Sequence, residues 1–146
     1  MEHKQLLTVF NSLPVGIGFF TADGTLVRCN ESFCRIFGAD SQTLLGNKLN
    51  INENSVVPDV VKEAVRRCVP IQMSFLYDFD KQRTDKRFFS TRTRTCYLKC
   101  NGNPLYDNDG KFVNYIFIFE DITETVKSEE VLRQSRRKTE LAMKAA

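Results

Sequence analysis

The chain has 146 residues, enough for one domain of ordinary size and short of two. Hydrophobic residues make up 42% and twelve side chains are Phe, which excludes a globally disordered chain; a net charge of +3 is too small to argue for a nucleic-acid partner. The longest nearly apolar runs, residues 13–20 and 115–119, fall far short of the ~20 residues that span a bilayer, and residues 1–8, with Glu2, do not read as a signal peptide.

In chain order, residues 1–12 read as a short amphipathic helix, with Leu6, Leu7, Val9 and Phe10 at roughly helical spacing and Pro14 marking its end. Residues 15–21 form an apolar strand, Asp23-Gly24 a hairpin turn and residues 25–29 the return strand. Asn30 looks like an N-cap, followed by Phe33, Ile36 and Phe37 on one helical face and by Gly38 as the stop. Residues 39–54 hold short helical or irregular pieces. Residues 55–69 predict a helix with Pro58 in its first turn and an apolar stripe of Val57, Val60, Val61, Ala64, Val65 and Cys68.

The remainder predicts β structure. Ile71, Met73, Phe75, Tyr77 and Phe79 alternate with Gln72, Ser74 and Asp78, the period of a half-buried strand. Residues 80–86 read as a polar turn. Residues 87–105 read as one long strand region, in which Cys96, Leu98 and Cys100 alternate with Tyr97 and Lys99. Asn108-Asp109-Gly110 is a second tight turn. The last strand, 111–121, is apolar on both faces: Tyr115, Phe117 and Phe119 point one way, Ile116, Ile118 and Ile122 the other. A sheet with one wet face alternates, so this strand asks for cover on both sides. The short helices can cover one face; the N-terminal helix or a second subunit must cover the other. Residues 124–146 predict one continuous helix without Gly or Pro, carrying four acids and six bases. Asp121 can cap it with Glu124 at the capping-box spacing. Leu132, Ser135, Thr139, Ala142 and Ala146 form a weak coiled-coil seam, and the helix stops without an ending signal, as though cut from something longer.

Several chemistries lack the residues they need. His3 is the only His, so a His-ligated haem, a Cys/His zinc site and a Ser-His-Asp triad have almost nothing to be built from. The cysteines are five, an odd number, and with no secretory signal they read as reduced thiols of a cytoplasmic protein. Cys96 and Cys100 share a strand face but lie about 13 Å apart at ~3.3 Å per residue, too far for a disulfide or a shared metal. Lys81, Arg83, Lys86, Arg87, Arg92 and Arg94 form a basic stretch, read as a solvated strand face because Asp78, Asp80 and Asp85 interrupt its field. Asp107-Asn108-Asp109-Gly110 resembles the opening of a calcium loop, but its twelfth position is Ile118 rather than Glu. Gly16-Ile17-Gly18 lacks the third Gly of a dinucleotide fingerprint.

The order of elements, with four motifs, resembles the PAS domain. Leu13-Pro14-Val15-Gly16-Ile17 with Asp23-Gly24 resembles its first strand and turn. Asn30-Glu31-Ser32-Phe33 with Ile36-Phe37-Gly38 resembles its first core helix. Asn103-Pro104-Leu105 with Asp107 and Asp109-Gly110 resembles its last hairpin, and Asp121-Ile122-Thr123-Glu124 its closing D-I-T-E motif. The resemblance implies an α+β PAS fold: a five-stranded antiparallel sheet with short helices on one face, an N-terminal flanking helix (1–12), the sensor domain (13–123) and a C-terminal coiled-coil linker helix (124–146). It implies a non-catalytic sensor module of a two-component sensor histidine kinase, cytoplasmic and homodimeric. Such a module binds a small apolar or aromatic molecule and passes its state through the exit helix to the kinase's dimerisation and phosphotransfer domain. The alternatives are a ligand-free dimerisation or docking module and the sensor domain of a transcription regulator.

In the family the inner sheet face and the small helices enclose the pocket. Here that surface is Phe33, Phe37, Val61, Val65, Met73 and Phe75, with Tyr77, Leu98, Cys100, Tyr115, Phe117 and Phe119. Asp121, Ile122, Thr123 and Glu124 are the coupling residues. The flavin branch carries "N-C-R-F-L" where this chain has Gly46-Asn47-Lys48-Leu49-Asn50, without a Cys, and the haem branch uses a His on the helix 55–69, where this chain has none. The resemblance therefore argues against covalent flavin and haem and leaves the ligand unidentified.

Overall fold

The computed structural model describes residues 2–82 and 90–145. Strands β1 (Gly16–Phe20), β2 (Leu26–Cys29), β3 (Ile71–Asp78), β4 (Thr95–Tyr106) and β5 (Phe112–Asp121) form one antiparallel sheet in the order β2-β1-β5-β4-β3. Helices α1 (His3–Ser12), α2 (Glu31–Phe37), α3 (Ser41–Gly46), α4 (Asp59–Arg66), α5 (Phe79–Gln82) and α6 (Thr123–Ala145) complete it, with a 3-10 turn at Ile51–Glu53. This is the expected α+β architecture of a five-stranded antiparallel sheet with an N-terminal and a C-terminal helix.

The register explains which residues face inward. In β5, Tyr115, Phe117 and Phe119 are buried while Ile118 is exposed, so the chain covers one apolar face of this strand and leaves the other open at Ile118. Phe119 lies opposite Gly16 and Cys100, so the central strands present one continuous inner face. Helix α2 crosses β1 at backbone distance because β1 carries two glycines. A Cβ at Gly16 would lie 2.9 Å from the Phe33 Cα, and one at Gly18 would lie 2.8 Å from the Phe33 ring.

Asn30 organises this end of the molecule. Its Oδ1 accepts from the amides of Phe33 (3.0 Å) and Ile17 (2.9 Å), and its Nδ2 donates to the carbonyls of Phe10 (2.9 Å) and Val15 (3.0 Å). One buried amide side chain thus uses both donors and both acceptor sites, capping α2 and tying α1 and β1 to it. Gly38 ends α2 at φ +68°, donating to the Cys34 carbonyl.

Three sequence expectations need correction. Strand β3 ends at Asp78, and Phe79 opens a helical turn because the Asp78 carboxylate accepts from the amides of Asp80 and Lys81. The long strand region starts at Thr95: Ser90–Arg94 lie outside the sheet, and Thr91 instead donates to the Gly38 carbonyl. Arg83, Lys86 and Arg87 of the basic stretch lie outside the described residues. Helix α4 spans only Asp59–Arg66, since Cys68 turns to φ +53° and residues 55–57 form a turn held by Asn54; Val60 in its first turn is exposed.

Candidate functional site

The inner-face side chains named from the sequence come together. Phe33, Phe37, Val61, Val65, Tyr77, Leu98, Cys100, Tyr115, Phe117 and Phe119 are all buried in one cluster, and Met73 and Phe75 pack half-buried against its rim. The rings interlock. Phe37 lies 4.6 Å from Phe33, 5.2 Å from Phe119 and 5.4 Å from Tyr77, centroid to centroid. Phe20 meets Phe117 edge-on at 5.4 Å, and Phe117 stacks on Phe119 at 5.5 Å. Such tilted and edge-on pairs are the favoured aromatic geometries.

Among the described residues this packing leaves little space. The cavity between sheet and helices measures about 30 Å³. That is room for about one water, against the ~300–1,000 Å³ of pockets that enclose organic ligands. It is lined by Phe33, Phe37, Tyr77 and Phe119 from the expected set, and by Phe20, Leu49, Asn50, Ile51, Asn54 and Val57 outside it. Val61, Val65, Leu98, Cys100, Tyr115 and Phe117 belong to the core but do not line the cavity. The polar groups nearby are already engaged: Asn54 Nδ2 donates to the Tyr77 hydroxyl at 2.8 Å, and the Tyr115 hydroxyl donates to the Val69 carbonyl at 2.6 Å. Burial pushes the Tyr115 phenol up to about 12 and the Cys100 thiol likewise, so both stay protonated near neutral pH. A three-ring flavin does not fit this space with the side chains as they stand.

The second assembly lies where β5 gives way to α6. The Ile122 amide donates to the Tyr97 carbonyl (2.9 Å) and the Tyr97 amide donates to Thr123 Oγ1 (3.0 Å), so the start of α6 is fastened to β4 through both backbone polar groups of one residue. Asp121 Oδ1 accepts from the Thr123 amide at 3.0 Å and from its hydroxyl. Asp121 caps the helix, but from one position further out than the capping-box spacing implies, because α6 begins at Thr123. Past Val126, every side chain of α6 that is described, Lys127 through Lys144, is exposed. Glu124 is exposed and stands clear of the junction's hydrogen bonds.

Arg92 completes the junction; it lies outside the sheet rather than on the solvated strand face that its local pattern predicts. Its Nη1 donates to the Ile36 carbonyl in the last turn of α2 (2.8 Å) and to Asp121 Oδ2 (3.2 Å), while the guanidinium lies 4.7 Å from the Phe79 ring centroid. A cation at a helix C-terminus, paired with a carboxylate and stacked on a ring, combines three favourable placements. Arg92 therefore joins the helix that packs on the inner face to the residue that caps the exit helix. Burial raises the Asp121 carboxyl, but the hydrogen bonds from Thr123 and the Arg92 guanidinium outweigh it and hold the group below the usual carboxylate range. No sequence signal marked Arg92, because Thr91-Arg92-Thr93-Arg94 mimics an alternating strand.

Among the described residues no group of three or more His, Cys, Asp or Glu side chains could hold a metal ion, and no helix is long and apolar enough to cross a membrane.

A family model described as PAS fold matches residues 10–127. Among solved structures, an RNA-binding light-oxygen-voltage receptor superposes with a TM-score of 0.68 at 18% identity over 92% of this chain, which spans 37% of that receptor. A PAS domain from Colwellia psychrerythraea superposes at 0.62 with 16% identity, covering 83% of this chain and 97% of its own. A PAS domain from a two-component sensor histidine kinase superposes at 0.58 with 14% identity, covering 81% and 94%. No curated protein sequence matches the chain.

Proposed function

The chain belongs to the PAS family of sensory and signalling domains, and from that premise we propose that it is the relay domain of a two-component sensor histidine kinase, working as a homodimer. The observation that carries the proposal is the Arg92–Asp121–Thr123 junction. One charged side chain touches the end of the core helix α2 and the carboxylate that sets the first turn of α6, so a shift of either moves the other. The exit helix runs on exposed, with Val131, Leu132, Leu141 and Met143 bare to solvent. Leu132 belongs to the weak seam, which in a dimer pairs with its copy; the polarity of that seam suits a switch between two registers better than a fixed rod.

The dimer also covers the outer face. Leu6, Leu7 and Val9 of α1 and Leu76, Tyr97 and Ile118 of the sheet are exposed, and a second copy buries them. Among the described residues, the close packing around the 30 Å³ cavity favours a domain that relays a partner's state over one built around a resident organic cofactor. The small-molecule reading keeps one observation in its favour: the 30 Å³ cavity is walled by aromatic rings beside the Asn54–Tyr77 hydrogen bond, and a ligand that displaced those rings would push directly on α2. Native mass spectrometry of the purified chain separates these readings. The relay proposal predicts a dimer with no added mass. A monomer at all concentrations contradicts it, and a stoichiometric extra mass supports the ligand reading instead.

A further inference from the structure

Cys29 ends β2 and Cys34 stands in α2, with the chain reversing between them at Asn30. Their Sγ atoms lie 3.9 Å apart, and both side chains are half-buried. They line an open surface groove of about 650 Å³ with Arg28, Glu31, Arg35 and Asp40, so a small reagent can reach them. Among the described residues no other thiol–thiol contact is recorded. Cys96 and Cys100 are buried within β4, four residues apart along one strand.

We infer that Cys29 and Cys34 are a dithiol site that hydrogen peroxide closes to a disulfide, making the joint between α1 and α2 responsive to oxidant. Cys34 is the attacking thiol. Burial raises both thiols, Cys29 to about 12; at Cys34 the neighbouring Asp40 and Glu31 add to that, while the contact with Cys29 and the Arg35 charge oppose it. The Cys34 thiolate, its proton lost to solvent, attacks one peroxide oxygen and breaks the O–O bond. Cys34 becomes a sulfenic acid, and the hydroxide released takes the Cys29 proton as water. The Cys29 thiolate then attacks the Cys34 sulfur, the S–S bond forms, and a second hydroxide leaves and is protonated. Two thiols and one peroxide give one disulfide and two waters.

Closing the gap from 3.9 Å to the ~2.05 Å of a disulfide pulls on the first turn of α2. The far side of Cys34 is held, because its carbonyl accepts from the amides of Gly38 and Ala39. The strain therefore falls on Asn30, Glu31 and Ser32. These three carry the bonds to the end of α1: Asn30 to the Phe10 carbonyl, the Glu31 amide to Asn11 Oδ1, and Ser32 to the Leu13 carbonyl.

The test treats the reduced, folded chain with hydrogen peroxide and alkylates the remaining thiols after unfolding. Trypsin, cutting after Arg28 and Arg35, releases both cysteines in one peptide. The expected product is that peptide two hydrogens lighter, its halves still joined after cleavage at Glu31, restored by dithiothreitol. Its rate of formation rises about tenfold per pH unit from pH 7 to 8.5, because the thiolate is the nucleophile. Oxidation also changes hydrogen exchange in α1 severalfold, and Cys29→Ser leaves a Cys34 sulfenic acid that dimedone traps. Absence of the bond in folded protein, its formation only in unfolded protein, or an α1 whose exchange ignores it overturns the inference.

Discussion

Asp121 and Arg92 allow the junction to be tested by arithmetic. Replacing Asp121 by Ala removes the acceptor for the Thr123 amide, a capping loss of about 1 kcal/mol. It also breaks the 3.2 Å ion pair, whose side chains are 29% and 32% exposed, worth about 1 kcal/mol more. Replacing Arg92 by Ala removes the same pair, the bond to the Ile36 carbonyl and the contact over Phe79, together about 2–4 kcal/mol. The expected loss for Asp121→Ala, about 2 kcal/mol, corresponds to a fall in Tm of about 4–8 °C for a chain of this size. The decisive quantity is the interaction in a double-mutant cycle, read by urea denaturation of wild type, both single variants and the double. Because the pair is shared, the double variant should be less destabilised than the sum of the singles by about 1 kcal/mol. Additivity within about 0.3 kcal/mol would show the two side chains to be energetically independent and would refute the junction.

Three further outcomes follow from the same geometry. Asn30→Ala should cost about 3 kcal/mol in denaturant unfolding, because it removes a cap and leaves buried partners of α1 and β1 unpaired. Gly16→Ala should cost about 1–3 kcal/mol by pressing a methyl on the Phe33 backbone, and should shift the near-ultraviolet signal of the aromatic cluster; Gly46→Ala, where the added carbon meets nothing within 4 Å, is the control. The Asp121 carboxyl is held low in the folded state, so its contribution is full above the unfolded carboxylate value near pH 4. It is lost as pH falls through the lower folded value. The Tm gap between wild type and Asp121→Asn should therefore be constant near neutral pH and close on acidification below about pH 4.

The sequence carried the parts of this account that rest on short-range signals. Asn30 before Phe33, Ile36 and Phe37 reads as a capped helix because cap, face and Gly38 stop lie within nine residues. The burial of Tyr115, Phe117 and Phe119 follows from alternation along one strand. What the sequence concealed depends on distant partners. Arg92 bonds a carbonyl fifty-six positions earlier, and its local pattern imitates a strand, so only the assembled fold reveals it. Asn54 reads as an irregular polar residue until it meets the Tyr77 hydroxyl across the core. The filled interior was equally hidden: the same aromatics line a pocket or fill one, depending on how closely α2 approaches β1, and two glycines decide that approach. The contact between Cys29 and Cys34 depends on the chain reversal at Asn30, which spacing along the chain does not convey.

The central claim is that packing on the inner face reaches the exit helix through Arg92, and hydrogen exchange tests it directly. Phe37→Leu is a mild change beside Phe33 and Phe119. It should alter exchange in the first turn of α6, where the Val126 amide bonds the Ile122 carbonyl, by about fivefold, equivalent to a coupling of ~1 kcal/mol. In an Arg92→Ala background the same core change should leave that turn unmoved. A response of equal size with and without Arg92, or none in either, would contradict the account.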